Sequence, residues 1–173
     1  MPEVKTKKYE DITEEWLKLV NTNNNGIITL QGYYEHKGVR YFVDGKYVVF
    51  NPSHTELEVA ELLVNNLGGS ITILPRVNEP EGIKTPDYLY NNERWDLKII
   101  SGDSKTVLYS SVRKHEKQAH NFIFDITKTS LSLVEIEEQI KYIYRRLDLI
   151  WLDTVIIIKD KEIIAVYKSK QKK

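Results

Sequence analysis

The chain has 173 residues, a length that suits one globular domain with at most a small N-terminal addition. It contains no cysteine, which excludes disulfides, thiol catalysis and cysteine-based metal sites. Acidic and basic residues are equal in number, 25 each, so bulk charge does not indicate a general coater of nucleic acid, and only a local basic groove remains open. No apolar stretch has membrane-spanning length, and the first ten residues lack the apolar region of a signal peptide. These features predict either a cytoplasmic protein without membrane insertion or a fragment of something larger.

The first fifty residues are predicted to form a short helix and a small β-meander. The helix is expected over residues 11–20, where Asp11 and Glu14 have capping-box spacing, and the Asn-rich stretch 21–25 is typical of a loop. Three short strands are expected next, at about residues 27–34, 40–43 and 47–50. We treat residues 1–50 as an N-terminal unit that precedes a domain over residues 51–173.

From residue 54 onward, helices and strands follow one another. The helix over 54–67 is expected to end at Gly68-Gly69, and a second long helix, over 133–148, starts at a capping box of Ser132 and Glu135. The other expected elements are a strand at 71–74, a hairpin around 91–92 whose second strand reaches 100, a short strand at 106–109, a helix at 110–120, and strands at 122–126, 155–158 and 162–167. This order predicts an α/β domain, a mixed sheet flanked by helices.

The predicted hairpin sets two acidic residues face to face. Asn91-Asn92 suits a two-residue turn, because asparagine tolerates the positive φ that such turns need. Counting back from this turn, Tyr88 opposes Trp95 and Asp87 opposes Asp96. Like charges directly across a hairpin are destabilising, so a folded chain that keeps them is expected to place something positive between them.

A lysine joins these carboxylates on the same strand face. Lys98 lies two residues beyond Asp96 and therefore points to the same side, whereas Trp95 and Leu97 face the core. Two carboxylates and a lysine suit a hard divalent cation and a phosphate. The alternative is a solvated ladder of surface ion pairs on the polar face of the strand.

The same residues carry a resemblance to a known family. Pro86-Asp87, eight residues, and then Asp96-Leu97-Lys98 is similar to the PD-(D/E)xK nuclease signature. With the flanking Lys84-Thr85 and the string Gln118-Ala119-His120-Asn121-Phe122-Ile123-Phe124-Asp125, the chain resembles the C-terminal tRNA-nuclease domain of CdiA-type contact-dependent inhibition toxins. The resemblance covers about residues 54–167. It implies a PD-(D/E)xK-like core.

The resemblance also implies roles for individual residues. Asp87 and Asp96 would hold Mg²⁺ or Mn²⁺, and Lys98 would steady the transition state or orient the attacking water. An acid on the first helix is expected as a third ligand, with Glu56, Glu58 and Glu61 as candidates. Glu58 is favoured because it precedes the apolar-Ala pair Val59-Ala60, whereas Ser53 and Glu56 fit a capping box.

Further residues are candidates for contacts with the substrate. Gln118 is expected near the metal or the phosphate, with Lys114 and Ser111 on the same helix face, although a solvent-facing polar stripe would look alike. Tyr33 and Tyr34 could stack on unpaired bases or equally belong to a core. His115 and His120 are five residues apart, which is poor spacing for paired ligands on a helix.

Together, these patterns predict a metal-dependent endonuclease that cleaves RNA, with tRNA as the substrate that the resemblance implies. DNA is the alternative substrate, and an inactive binding module for nucleic acid or protein, of mobile-element origin, is the alternative from another class. The resemblance further implies a cognate immunity protein as partner and delivery as part of a larger toxin to a cytoplasmic site of action.

Overall fold

The structure is a computed structural model that describes residues 8–18 and 26–170. The helices are α1 (Thr13–Lys18), α2 (His54–Leu67), α3 (Val107–Val112) and α4 (Leu133–Arg145), followed by a short 3-10 helix (Leu147–Leu149). The strands are β1 (Tyr9–Asp11), β2 (Ile27–Leu30), β3 (Tyr33–His36), β4 (Val39–Phe42), β5 (Val48–Val49), β6 (Ser70–Ile73), β7 (Arg76–Val77), β8 (Tyr88–Tyr90), β9 (Glu93–Ile99), β10 (Asn121–Asp125), β11 (Thr154–Lys159) and β12 (Glu162–Ser169). None of the described helices is long and apolar enough to cross a membrane.

An eight-stranded mixed sheet organises the fold, in the order β1-β12-β11-β10-β9-β8-β6-β2. Its centre is parallel, because β10 pairs in parallel with both β9 and β11, and antiparallel pairs flank this centre. Helices cover both faces of the sheet, and the predicted α/β class with a mixed sheet is confirmed. Parallel strands need such crossover helices, which explains why helical segments separate β9, β10 and β11.

The predicted N-terminal meander is confirmed in its first hairpin and wrong in the pairing of its other segments. β2 joins the main sheet beside β6, β3 pairs only with β4 in a separate hairpin, and β5 pairs with β7. The open edge of β6 offers unpaired backbone groups, which an extended segment such as β2 satisfies. β1 forms the opposite edge of the same sheet, so segments from the first fifty residues border it on both sides. Part of the helix expected over 11–20, and the loop 21–25, lie outside the described residues.

Two apolar cores lie on the two faces of the sheet. One contains α3 and α4 with Phe122 and Phe124 of β10, and the other contains α2 with Trp95 and Ile123. The alternation along β10 therefore sends neighbouring side chains to different cores, as the pleat of a strand requires. A smaller third cluster, which includes the buried Tyr34, packs beneath the β3–β4 hairpin.

The long helices follow their predicted caps. α2 spans the predicted residues, with Ser53 Oγ accepting from Glu56 N at 3.1 Å and Gly68 in the left-handed region at φ 71°. α4 has the predicted capping box of Ser132 and Glu135, but its α-helical part ends at Arg145 and continues as the 3-10 turn.

The segment between β9 and β10 differs from its prediction. The expected strand at 106–109 is the start of α3, and the expected helix at 110–120 is only the end of α3 followed by turns. Leu108 and Val112 are four residues apart and both fully buried, so the helix is fixed by packing against α4. Gln139 of α4 accepts a hydrogen bond from Leu108 N at 3.1 Å and adds to this fixation.

Candidate active-site cleft

The β8–β9 hairpin has the predicted register, and its two strands separate at the open end. We call the pair of carboxylates at this point, Asp87 and Asp96, the fork. Tyr88 pairs with Trp95, and the turn residues Asn91 and Asn92 have positive φ angles of 50° and 65°. β8 begins at Tyr88, whereas β9 continues to Ile99, so Asp87 stands where the two strands separate. The Asp87 carboxylate accepts a hydrogen bond from Leu97 N at 2.8 Å and thus satisfies the backbone of β9 in place of a strand partner.

Asp96 is the second carboxylate of the fork, and it is only 1% exposed. Lys98 Nζ lies 2.7 Å from its Oδ2, and Gln118 Nε2 donates to its Oδ1 at 3.3 Å. Oδ2 is buried, and within the described residues it has this lysine as its ion-pair partner but no hydrogen bond. A buried carboxylate costs free energy unless it is compensated, and here the compensation comes mainly from one lysine.

The two carboxylates interact strongly enough to change the protonation of Asp87. Burial raises the pKa of Asp87 to about 8, with repulsion from Asp96 and a hydrogen bond to it acting in the same direction. The hydrogen bond from Leu97 N lowers the pKa, whereas the charge of Glu56 raises it further. The fork therefore tends to hold a proton when no other positive charge enters it.

A cleft of about 520 Å³ opens in front of the fork. It runs from the start of α2, past β7 and the loop before β8, to the turn that follows α3. The polar and charged side chains that line it are Ser53, Thr55, Glu56, Arg76, Asn78, Lys84, Thr85, Asp87, Asp96, Lys98, His115 and Gln118. The fork is therefore accessible to a ligand, and the alternative of a solvated surface ladder does not describe it.

The fork fits a hard divalent cation in its chemistry. Asp87 and Asp96 supply carboxylate oxygens, and Oδ2 of Asp96, which is ion-paired with Lys98 but accepts no hydrogen bond among the described residues, has capacity for a further ligand. Mg²⁺ is commonly held by one or two carboxylates, with waters and substrate phosphates completing its shell. Within residues 8–18 and 26–170, no group of three or more Asp, Glu or His side chains is arranged to hold a metal. The metal ligands supplied by the protein would thus be the carboxylates of these two aspartates.

The structure does not bring Glu58 to the aspartates. Glu58 pairs with His54 at 3.0 Å and lies 3.8 Å from Lys161, in a neighbouring pocket. Glu56 faces the cleft instead, and its backbone carbonyl accepts from Tyr88 Oη at 2.6 Å. The expected capping box forms only by half, because Ser53 receives the backbone N–H while the Glu56 carboxylate turns to Arg76. Glu61, the remaining candidate, is exposed on α2 and lines the same neighbouring pocket as Glu58.

Gln118 lies in the cleft as predicted, although a turn rather than a helix carries it. Its Nε2 donates to Thr85 O at 3.0 Å as well as to Asp96. Arg94 holds this turn, since its guanidinium donates to the carbonyls of Gln118, Lys117 and Lys84. The turn and the loop before β8 are thereby fixed to each other.

The other predicted contacts lie outside the cleft. Ser111 donates back to Val107 O at 2.7 Å within α3, and Lys114 is an exposed residue after that helix has ended. Tyr34 is buried and donates to Lys84 O, so it cannot stack on a base. Tyr33 packs its ring against Phe42 and under Arg40. The early end of α3 is the physical reason why the helical-face argument failed for Ser111 and Lys114.

Two residues that line the cleft were not among the site residues predicted from the sequence. Arg76 comes from β7, in the loop expected between strands, and no local pattern pointed to it. His115 was compared only with His120, although it is three residues before Gln118. Its Nδ1 is buried without a hydrogen-bond partner in the described structure. Burial lowers the pKa of His115, as do the nearby charges of Lys98 and Lys84, while Asp96 opposes them.

Comparison with known proteins finds similarity in sequence over part of the chain and similarity in fold over most of it. Residues 84–164 match the family model of the contact-dependent growth inhibition CdiA C-terminal domain, and this segment contains Asp87, Asp96, Lys98 and Gln118. The structure is also similar to a chain of a solved CdiA-CT/CdiI toxin and immunity complex from Burkholderia pseudomallei, with a TM-score of 0.53 and 20% sequence identity over 81% of this chain and 98% of that chain. No curated protein matches the sequence. The chain is thus similar to CdiA C-terminal domains over the segment that carries the two aspartates, and its fold is similar to that of the solved toxin chain.

Proposed function

We infer that this protein is a metal-dependent endonuclease that cleaves RNA phosphodiester bonds, with tRNA as its substrate and toxicity as its role. The observation that carries the inference is the Asp87–Asp96 pair at the mouth of an open cleft, with Lys98 Nζ 2.7 Å from Asp96. Buried, mutually repelling carboxylates are costly to maintain, and such groups concentrate at functional sites. A cation site next to a fixed lysine suits an anionic phosphodiester.

The roles of the residues follow from their positions. Asp87 and Asp96 would hold Mg²⁺ or Mn²⁺, which would supply an activated water and stabilise negative charge on the phosphate. Lys98 is fixed by its ion pair and would place a positive charge where the phosphate oxygens gain charge in the transition state. Gln118 is held by Thr85 O and keeps Asp96 Oδ1 oriented toward the cleft.

The toxin role is supported by similarity. The matching family model describes the C-terminal domain of a contact-dependent growth inhibition protein, and the similar solved structure is described as a toxin and immunity complex. A cognate immunity protein is therefore the expected protein partner, and delivery as part of a larger toxin is the expected route. The preference for tRNA rests on the resemblance of the motif string, and a tRNA substrate would require a cytoplasmic site of action.

A gel assay on bulk tRNA and plasmid DNA tests this function. Purified protein is incubated with Mg²⁺, Mn²⁺ or EDTA, beside Asp96→Ala and the control Asp103→Ala, which changes an exposed aspartate outside the cleft. We expect metal-dependent loss of tRNA with the wild type and Asp103→Ala, and none with Asp96→Ala. Cleavage of DNA alone would keep the mechanism and replace the substrate. No cleavage of either, with Asp96→Ala binding metal like the wild type, would favour a binding module.

A further inference from the structure

Arg76 makes only long contacts with two carboxylates of the cleft. Its Nη2 donates a hydrogen bond to Glu56 Oε1 at 3.4 Å and lies 3.9 Å from Asp87 Oδ1. Charge-assisted hydrogen bonds of arginine are normally about 2.7–2.9 Å long, so both contacts are loose. The backbone of Arg76 is held by pairing of β7 with β5, whereas its side chain is 67% exposed. The guanidinium can therefore leave the carboxylates while the strand stays in place.

The charges in the cleft give a reason for the Arg76 guanidinium to move away from the carboxylates. When ionised, Glu56, Asp87 and Asp96 carry three negative charges, which the positive charges of Arg76, Lys84 and Lys98 balance. A divalent cation in the fork would leave the cleft with a net positive charge. Lys98 lies 2.7 Å from Asp96 and is mostly buried, so of the two cations paired with the aspartates Arg76 is the one that repulsion from the metal would displace.

We propose that Arg76 is an exchangeable counter-ion, which neutralises Glu56 and Asp87 before the metal binds and then contacts a phosphate of the nucleic-acid substrate. This proposal rests on the function inferred above. A released guanidinium at the cleft wall presents the planar set of donors that matches two phosphate oxygens. Arg76 thus couples metal loading to substrate binding, because the side chain is available for phosphate only after the fork has gained its cation.

Metal titration gives a test that does not depend on cleavage. Mn²⁺ binding to the EDTA-treated and dialysed full chain is measured by calorimetry for the wild type, Arg76→Gln and the control Arg113→Gln. Arg113 is an exposed arginine at the end of α3 that does not line the cleft. We expect Arg76→Gln to bind Mn²⁺ about tenfold more tightly, since a competing cation is gone, and Arg113→Gln to bind like the wild type.

The phosphate contact is measured on the same proteins with labelled tRNA. Fluorescence anisotropy in Ca²⁺ gives the Kd, and Arg76→Gln is expected to raise it about tenfold, well beyond the effect of the charge-matched Arg113→Gln. Unchanged or weaker Mn²⁺ binding by Arg76→Gln, or equal tRNA losses in both variants, would overturn the proposal. A wild type that binds no Mn²⁺ would overturn it together with the metal-dependent function. A wild type that binds Mn²⁺ and tRNA but cleaves nothing, with Arg76→Gln behaving as expected, would remove the nuclease activity and leave the exchange standing.

Discussion

The carboxylate of Asp87 takes the place of a strand partner for Leu97, whose backbone N–H donates to Asp87 Oδ2 at 2.8 Å. This hydrogen bond has a structural and a chemical effect. It closes the hairpin at the point where β8 ends, and it holds the buried carboxylate of Asp87 close to that of Asp96. The cost of this arrangement is electrostatic, and it can be measured through the pH dependence of stability.

Asp87→Asn is expected to flatten the pH dependence of the metal-free protein. An unfolded aspartate titrates near 3.9, whereas the folded Asp87 has a pKa of about 8. Between these values the folded state keeps a proton that the unfolded state has lost, so the free energy of unfolding falls as pH rises, by at most about 1.4 kcal/mol per pH unit. The amide cannot titrate, yet its oxygen can still accept from Leu97.

Urea unfolding in EDTA at pH 5, 6, 7 and 8 checks this expectation. The wild type should be most stable at the acidic end and lose stability toward pH 8 relative to Asp87→Asn. Titration of other groups, including His115, is common to both proteins and cancels in the difference. Parallel stability curves for the two proteins would contradict the raised pKa of Asp87.

Lys98→Met is expected to destabilise the fold, because the lysine compensates the buried negative charge of Asp96. Asp96 would remain buried without its lysine counter-ion, and breaking one half of a buried pair in this way costs about 3–5 kcal/mol. The double variant Asp96→Asn/Lys98→Met should recover most of this loss, because no uncompensated charge remains. Thermal unfolding of the three proteins measures both steps. A single variant as stable as the wild type would mean that the ion pair gives no net stabilisation.

The fork was predictable from sequence because its geometry is local. Two asparagines in a two-residue turn fix the register, and the register alone brings Asp87 opposite Asp96. Lys98 follows from the two-residue period of a strand. These relations span few residues and do not depend on the rest of the fold.

The remaining cleft residues depend on tertiary contacts, which explains why sequence reasoning missed them or misplaced them. Glu56 and Glu58 both lie in the first turns of α2, and tertiary contacts such as the bond from Tyr88 Oη to the Glu56 carbonyl show which side of the helix meets the fork. Likewise, the two buried residues of α3, Leu108 and Val112, pack on α4, and the turns after Val112 carry His115 and Gln118 into the cleft. Arg76 arrives through pairing of β7 with β5, which joins segments distant in sequence.

Glu56→Gln and Glu58→Gln form a matched pair of variants that tests which of these two α2 residues influences metal binding. Glu56 faces Asp87 across the cleft, so its neutralisation is expected to weaken Mn²⁺ binding roughly 10-fold or more, in the range of groups that orient metal ligands. Glu58 pairs with His54 outside the cleft, so its variant should stay within about twofold of the wild type. Calorimetric titration with Mn²⁺ decides between them. The reverse order of effects would restore Glu58 as the acid of the first helix.

Arg94→Lys is expected to slow cleavage without weakening the metal site. The guanidinium donates to Gln118 O and Lys84 O, each at 2.8 Å, and to Lys117 O at 3.2 Å. A lysine ammonium cannot span these carbonyls, so we expect a loss of about 2 kcal/mol in the free energy of unfolding. Gln118 loses its fixed position, and kcat should fall roughly tenfold, as expected when a positioning contact loosens.

Metal affinity separates this positioning effect from damage to the fork. Asp87 and Asp96 receive no hydrogen bond from Arg94, so the Mn²⁺ affinity of Arg94→Lys should equal that of the wild type. Cleavage rates at saturating Mn²⁺, measured beside calorimetry on the same preparation, give both quantities. If Mn²⁺ affinity falls by as much as kcat, then Arg94 supports the carboxylate pair itself, and the turn that carries Gln118 is not what limits the rate.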